Sequence, residues 1–356
     1  MKKAHVVTME ASGPTLEDLG WNSFFADQLS AEEQGGEVCP VRVMAVHRGM
    51  VDIAGSGLGG MINSALPVSE GPEDRAAVGD WLLVDRARLE PVRILDRVNL
   101  FKRKAPADQR RLQLIAANVD TLFIVTSCNQ DFNVARLERY LVMAREVGVR
   151  PVVVLTKVDL AEAPERFLEA ARALQPDLEV EMVNGRDPAS VGRLARYCGK
   201  GRTVALLGSS GVGKSTMING LRGSDEIETQ PIREIDGKGR HTTTGRQLYP
   251  LDGPAKGGWL VDTPGMREFH LPDAATGIAE VFDDITALTQ ACRFGNCTHT
   301  TEKSCAVLAA LRDGTLEPKR LERWRKLRDE DAENTPGNGG RRPASAGGRR
   351  RKKTNG

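Results

Sequence analysis

Residues 208–216 read GSSGVGKST, preceded by the strand-like run TVALL and followed by the helix-compatible STMINGLRG. Gly208 and Gly213 let backbone N–H groups wrap an anion with no Cβ in the way. The intervening Ser209, Ser210, Gly211 and Val212 form the wrap, and the helix that begins beyond them adds its positive end. Lys214 is placed to reach β- and γ-phosphates. Ser215 offers a hydroxyl to Mg²⁺, with Thr216 closing the motif. A strand, a glycine loop of this spacing and a helix together predict a nucleoside triphosphate site.

Two later stretches belong to the same chemistry. DTPG, Asp262 to Gly265, ends the apolar run GGWLV. Its carboxylate can hold Mg²⁺ through water, and the Gly265 N–H can sense a γ-phosphate. Between the two lies GKGRHTTTGR (237–246), where one of Thr242, Thr243 and Thr244 completes the Mg²⁺ shell; Thr243 is taken as that ligand. Ras-like enzymes orient the attacking water with a glutamine just after the Asp-x-x-Gly segment. Met266 stands there and cannot do so, which makes His241 the candidate to position or deprotonate water. Lys214, Asp262 and His241 are thus the expected catalytic set.

The base is read by TKVDL (156–160), after the apolar run PVVVL. Guanine presents N1–H and N2–H₂ donors that adenine lacks, and Asp159 can accept both. An unpaired carboxylate against adenine discriminates by roughly 10⁴ in comparable polar pockets. The stem of Lys157 can lie over the base, with Val158 between the two polar positions. Thr156 stands where Asn is commoner; its hydroxyl can still make a local tethering bond, so GTP preference survives with looser affinity. This reader precedes the phosphate loop, the reverse of the ordinary order. Strand pairing holds a parallel sheet whatever the connections, so the order describes a circular permutation. The segment after Gly265 then leads directly into the C-terminal region, which nucleotide state can move.

Cys292-x₄-Cys297-x-His299-x₅-Cys305 offers three thiolates and an imidazole, a closed tetrahedral zinc set suited to structure. Cys39, Cys128 and Cys198 read as small buried hydrophobes. The chain has 356 residues, 40% of them hydrophobic and 28% charged, enough for two or three packed domains. No apolar run of membrane-spanning length occurs and the start carries no secretory pattern, so a cytoplasmic protein is expected. The net charge of +2 hides an acidic first forty residues and a basic end, RRPASAGGRRRKKTNG, which suits a polyanion.

Short β-branched runs split by Gly, Pro and Asp predict a small antiparallel barrel over 38–112. Arg93, Arg97, Lys102, Arg103 and Lys104 form a basic run near its end, of the kind that tracks a nucleic-acid backbone. An amphipathic helix, LEDLGWNSFFADQLS, is expected in the extension 1–37, packed on a neighbouring domain. Beyond the barrel, apolar runs alternate with amphipathic helices over 113–270, implying a parallel sheet covered on both faces. A helical zinc-binding domain over 271–334 and a disordered basic tail over 335–356 follow.

Together with NVD (118–120), GRHTTT (239–244) and DTPGMREF (262–269), these motifs resemble the circularly permuted ribosome small-subunit-dependent GTPase A family, the YjeQ/YloQ-like ribosome biogenesis GTPases. The resemblance covers about residues 38–310. It implies an OB-fold RNA-binding barrel, a permuted P-loop GTPase and a mostly α zinc domain. It also implies small ribosomal subunit and 16S rRNA partners, GTP and GDP as ligands, and hydrolysis stimulated by that particle. A monomer with no membrane association is expected. Around Asn184 and Gly185, where a Ser-Ala pair usually supports guanine, the match is poor and no base contact is assigned. Two other readings are an RNA-binding module for which turnover is incidental, and a generic phosphate-loop ATPase or kinase.

Overall fold

A computed structural model describes residues 6–7, 13–67, 71–105, 108–223, 246–262 and 274–334. Strands β1 (Val6–Val7), β2 (Val38–His47), β3 (Met50–Gly55), β4 (Leu58–Asn63), β5 (Trp81–Asp85) and β6 (Pro91–Ile94) pair antiparallel in the order β1-β4-β3-β2-β5-β6. Alternate residues of β2, β3 and β5 turn Val41, Val43, Val51, Ile53, Leu82 and Val84 into one core. A hairpin of β7 (Leu100–Ala105) and β8 (Asp108–Ala117) completes this strand-rich part. β8 runs unbroken across residues 112 and 113, so no break in secondary structure marks the join that the sequence suggests there.

The sheet that holds β2 continues into β9 (Thr121–Ser127), β10 (Arg150–Thr156), β11 (Glu179–Val183), β12 (Thr203–Leu207), β13 (Arg246–Leu251) and β14 (Gly258–Asp262), in the order β13-β14-β12-β9-β10-β11, with β13 paired antiparallel to β2 (Arg246 opposite Val46). All neighbours are parallel except β13 and β14. Every residue of β9 is buried. Leu122 and Ile124 face a core shared with α2 (Val134–Val147) and α3 (Glu165–Arg172), whereas Phe123 and Val125 face α4 (Pro188–Gly192) and α5 (Lys214–Arg222). A sheet covered on both faces must be apolar on both, and the continuous apolar runs follow from that. The C-terminal part is helical: α6 (Ala275–Val281), α7 (Asp283–Gln290), α8 (Ala306–Asp313) and α9 (Pro318–Asn334).

The N-terminal segment packs as expected but is not one helix. Only α1 (Ser23–Ala26) is α-helical, capped by the Asn22 side chain on the Phe24 N–H. Gly20 interrupts the periodicity, with φ +92° and a position where a Cβ would lie 2.5 Å from the Gly201 carbonyl oxygen. Leu19 and Phe25 are buried beside Trp81, Leu83 and Leu95, and Trp21 stands edge-on to Trp81 at 4.8 Å. Arg42, wholly buried in β2, joins three parts of the chain. Its guanidinium donates to the Leu19 carbonyl and, at 2.6 Å, to the Thr203 hydroxyl at the start of β12. Burial pulls its pKa down to about 10.

The segment is also clamped by charge. Arg93 holds Glu33 through two bonds of 2.8 and 2.9 Å and donates to the Gln28 carbonyl at 2.8 Å. Arg93, with help from the Ser30 amide, lowers the Glu33 carboxyl from 4.5 to about 2. A depressed carboxylate pKa stabilises the fold above the unfolded value and loses that contribution as pH falls through the folded one. The urea midpoint of the unaltered chain should therefore exceed that of Glu33→Gln at pH 7. The gap should close between pH 4.5 and 2; a gap independent of pH would disprove the clamp.

Candidate functional site

β12 delivers the phosphate loop to the carboxyl edge of the sheet, where ligands of such sheets bind. Gly208 takes φ +154°, and a Cβ there would lie 2.2 Å from the Val125 carbonyl oxygen of β9, so only glycine lets the loop leave so close to its neighbour. Gly213 caps α5 with φ +99°. The Lys214 ammonium lies within the loop, donating to the Gly208 carbonyl at 2.7 Å and to that of Ser209. Val212 is buried, Ser209 and Lys214 to Thr216 are half-buried, and Ser210 and Gly211 are exposed at the loop's crest. A loop of this kind at the start of a helix is where backbone N–H groups can make a cradle for an anion.

The base motif meets this cradle directly. Thr156 ends β10 and is buried; its hydroxyl donates to the Val212 carbonyl and lies 3.2 Å from that of Thr126. A Cβ on Gly213 would sit 3.6 Å from the same hydroxyl oxygen. Residues 56 apart in sequence are thereby bonded, with the base motif and phosphate loop on one edge. Lys157 turns the chain with φ +56°, Val158 is half-buried, and Asp159 is exposed in the short 3₁₀ turn Val158–Leu160. The hydroxyl makes the tether that the sequence allowed it.

Asn184 and Gly185, to which the sequence assigns no base contact, stand at the same edge of the sheet. They follow β11, and a Cβ on Gly185 would lie 3.5 Å from the Thr216 methyl. The Asn184 N–H donates to the Ser190 hydroxyl at 3.0 Å, and its side-chain oxygen accepts from the Arg186 N–H at 3.0 Å. Of the remaining expected residues, Asp262 ends β14 opposite Gln247. His241, Thr242, Thr243, Thr244 and Gly265 lie outside the described residues.

The second site is the cluster Cys292, Cys297, His299 and Cys305, whose ligand atoms all lie within 4.8 Å of one another and could hold a metal ion. The Cys292 and Cys305 sulfurs are 3.8 Å apart, and each is 3.5 Å from His299 Nδ1. His299 adopts φ +57°. Glu302 fixes its loop by accepting from the Thr298 hydroxyl at 2.6 Å and from the Thr298, Thr300 and Thr301 amides at 2.7, 2.9 and 3.1 Å; the hydroxyl first, with the amides, holds its carboxyl well below the usual range. The other three cysteines are buried; burial pushes Cys128 up to about 11 and Cys198 up to about 12, as inert core thiols require.

The basic run of the strand-rich part is not a free cationic stripe. Arg93 is held by Glu33. Arg97 forks onto the buried Asp80 with two bonds of 2.7 Å. Lys102 pairs with Glu73 at 2.6 Å, and Arg103 donates to Gln113 at 2.9 Å. Distant acids fold back onto Arg93, Arg97 and Lys102, which local sequence does not show.

A parallel sheet whose carboxyl edge joins a phosphate loop to a TKVD motif, in reversed chain order, defines a circularly permuted GTPase. YloQ, described as a circularly permuted GTPase, superposes with a TM-score of 0.59 at 20% identity, over 85% of this chain and 97% of its own. YjeQ from Thermotoga maritima gives the same TM-score at 23% identity, over 83% and 98%. The family model described as RsgA GTPase matches residues 94–272. A protein of Mesorhizobium japonicum named small ribosomal subunit biogenesis GTPase RsgA is 49% identical over 352 residues, 97% of this chain and 99% of that relative. One from Vibrio parahaemolyticus, named small ribosomal subunit biogenesis GTPase RsgA 2, is 45% identical over 92% of this chain and 88% of its own. The chain belongs to the RsgA GTPase family, and GTP hydrolysis is its activity.

Thr156→Val removes the tether and leaves the Val212 carbonyl without its partner, a loss of about 1–3 kcal/mol. GDP and GTP affinity, read with a fluorescent nucleotide, should fall about tenfold. Thr156→Ser should keep most of it. Equal affinity for all three chains would show that the bond does not shape the site.

Proposed function

We propose that this chain acts in biogenesis of the small ribosomal subunit, binding that subunit and its 16S rRNA and hydrolysing GTP to GDP and phosphate late in maturation. The observation that supports the reading is the Thr156–Val212 contact, which bonds the TKVD motif to the 208–216 loop. The names of relatives matched along nearly the whole chain supply the process. The chain is taken to work in the cytoplasm as a monomer; among the described residues no helix is long and apolar enough to cross a membrane.

In this reading Asp159 accepts the two donors of guanine, and the stem of Lys157 covers the base. The 208–216 loop wraps the phosphates, with Lys214 against the β- and γ-oxygens. Ser215 and Asp262, with one of Thr242, Thr243 and Thr244, would hold Mg²⁺, which neutralises charge on the β- and γ-phosphates. The Gly265 N–H senses the γ-phosphate, and His241 positions or deprotonates the attacking water. Met266 cannot replace it, because a thioether neither orients nor accepts the water's proton usefully.

The Cys/His cluster is assigned to one structural zinc ion. Tetrahedral ligation at about 2.3 Å to sulfur and about 2.0–2.1 Å to nitrogen places ligand sulfurs about 3.8 Å apart and sulfur about 3.5 Å from nitrogen. The Cys292–Cys305 and the two sulfur–Nδ1 separations are 3.8 and 3.5 Å, and the Cys297 sulfur lies within 4.8 Å of the other three ligand atoms. Four protein ligands leave no open position, so the ion holds structure.

Single-turnover GTP cleavage should rise sharply with purified small subunits and not with large ones, and excess ATP should not compete. His241→Ala should keep GTP binding and lose most of the stimulated cleavage. Unstimulated turnover would favour an RNA-binding module instead. Elemental analysis should find one zinc per chain, and a chelator should remove amide protection from α8 before β9. A metal-free chain with unchanged protection would refute the zinc assignment.

A further inference from the structure

Glu138 lies near the start of α2 with a side chain that is 0% exposed. Both its oxygens are taken by α9: Arg323 Nε stands 2.6 Å from Oε2, and Arg320 Nη1 3.4 Å from Oε1. Arg320 reaches further, with two bonds of 2.7 and 2.8 Å to Asp284 of α7 and one of 3.1 Å to the Val281 carbonyl at the end of α6. The same helix meets the Cys/His cluster, because Arg325 donates to the His299 carbonyl and the Trp324 ring lies 6.0 Å from the imidazole. Farther along α9, Asp331 accepts the Ala274 N–H at 2.6 Å. One helix therefore holds α2 of the GTPase sheet, the metal cluster, and the residue at which the chain arrives from the DTPG motif.

A carboxylate this deeply buried persists as an ion only while its partners stay, and parting from either arginine would leave uncompensated charge. Sliding or lifting α9 along α2 therefore exposes an unpaired ion at the moment of parting. Charge arranged in this way resists a hinge at that contact.

The geometry points to Glu138 as a positioning residue that, through Arg320 and Arg323, fixes the Cys/His unit on the GTPase sheet so that the two move as one body through the nucleotide cycle. The expectation that nucleotide state swings the C-terminal region is thereby narrowed. The stretch after Asp262 has both its ends, Asp262 and Ala274, built into the same body. What the small subunit meets is then a composite surface of fixed geometry; this last clause rests on the function proposed above.

The test uses spin labels carried by non-cysteine residues at Glu169 on α3 and Arg312 on α8 of the full zinc-loaded chain, which spares the metal-binding thiols. Distances are measured with GDP and with a non-hydrolysable GTP analogue. One unchanged distribution is expected. A shift beyond about 5 Å, the rise of one helical turn, would overturn the proposal. Glu138→Gln should broaden the distribution. It should also raise KM for small subunits about fivefold or more, leaving saturated kcat and particle-free turnover within about twofold. An unaltered distribution with an unaltered KM would equally overturn it. Should Glu138→Gln lose zinc or fail to fold, Glu138→Asp, with its charge kept and its reach shortened, is held to the same outcomes. If small subunits do not stimulate even the unaltered chain, the proposed function fails while the distances still decide the rigid coupling.

Discussion

The hydroxyl of Thr156 against the carbonyl of Val212 is the contact on which the nucleotide site depends. β9 lies between β10 and β12, so ladder spacing sets the base motif and the phosphate loop roughly 10 Å apart at their strand ends, the scale of a nucleoside. The tether then draws the two loops together above β9. None of this requires a particular chain order. Strand neighbours decide the site, and connectivity decides only which residues the chain passes through on the way. That is why a permuted order leaves the site intact.

Close backbone approach is the second condition, and side chains would forbid it at several glycines, Gly208 and Gly277 among them. Gly208 passes the Val125 carbonyl so tightly that a Cβ would meet it at 2.2 Å, which fixes where the phosphate loop leaves the sheet. Gly277 does the same for helices: a Cβ there would lie 2.2 Å from the Val142 carbonyl oxygen, and its N–H donates to Glu146 at 2.9 Å. α6 thereby lies directly on α2. The helical C-terminal part shares its core with the GTPase sheet, since Leu321, Trp324 and Leu327 belong to the same apolar cluster as Leu122, Leu141 and Leu155.

What could be read from sequence was whatever the backbone itself dictates. GSSGVGKST and TKVDL specify local conformations through glycine, a helix start and a polar strand end, and both stand where the spacing put them. The Cys/His cluster was legible because four ligand side chains within a short span have few other reasons to meet. Long-range pairing was not legible. Arg93, Arg97 and Lys102 read as a nucleic-acid stripe until Glu33, Asp80 and Glu73 are seen against them. The helical period across Leu16 to Leu29 was overruled at Gly20, whose neighbour Gly201 lies far along the chain.

The joints between parts share a chemistry that explains their blindness to local pattern. Arg42 joins the strand-rich part to the N-terminal segment and to β12, and Arg320 with Arg323 joins α9 to α2. Removing charge from water costs nearly what pairing returns, so apolar residues of similar volume would hold these joints as tightly. An apolar face, however, tolerates sliding by a fraction of a turn, because dispersion has no preferred direction. A guanidinium forked onto fixed acceptors does not, since its donors lie in one plane and lose their partners together. Buried arginine thus sets the register of docking, while the apolar core around it supplies most of the stability. For a protein whose nucleotide edge and Cys/His cluster belong to different stretches of chain, register is what those joints must supply.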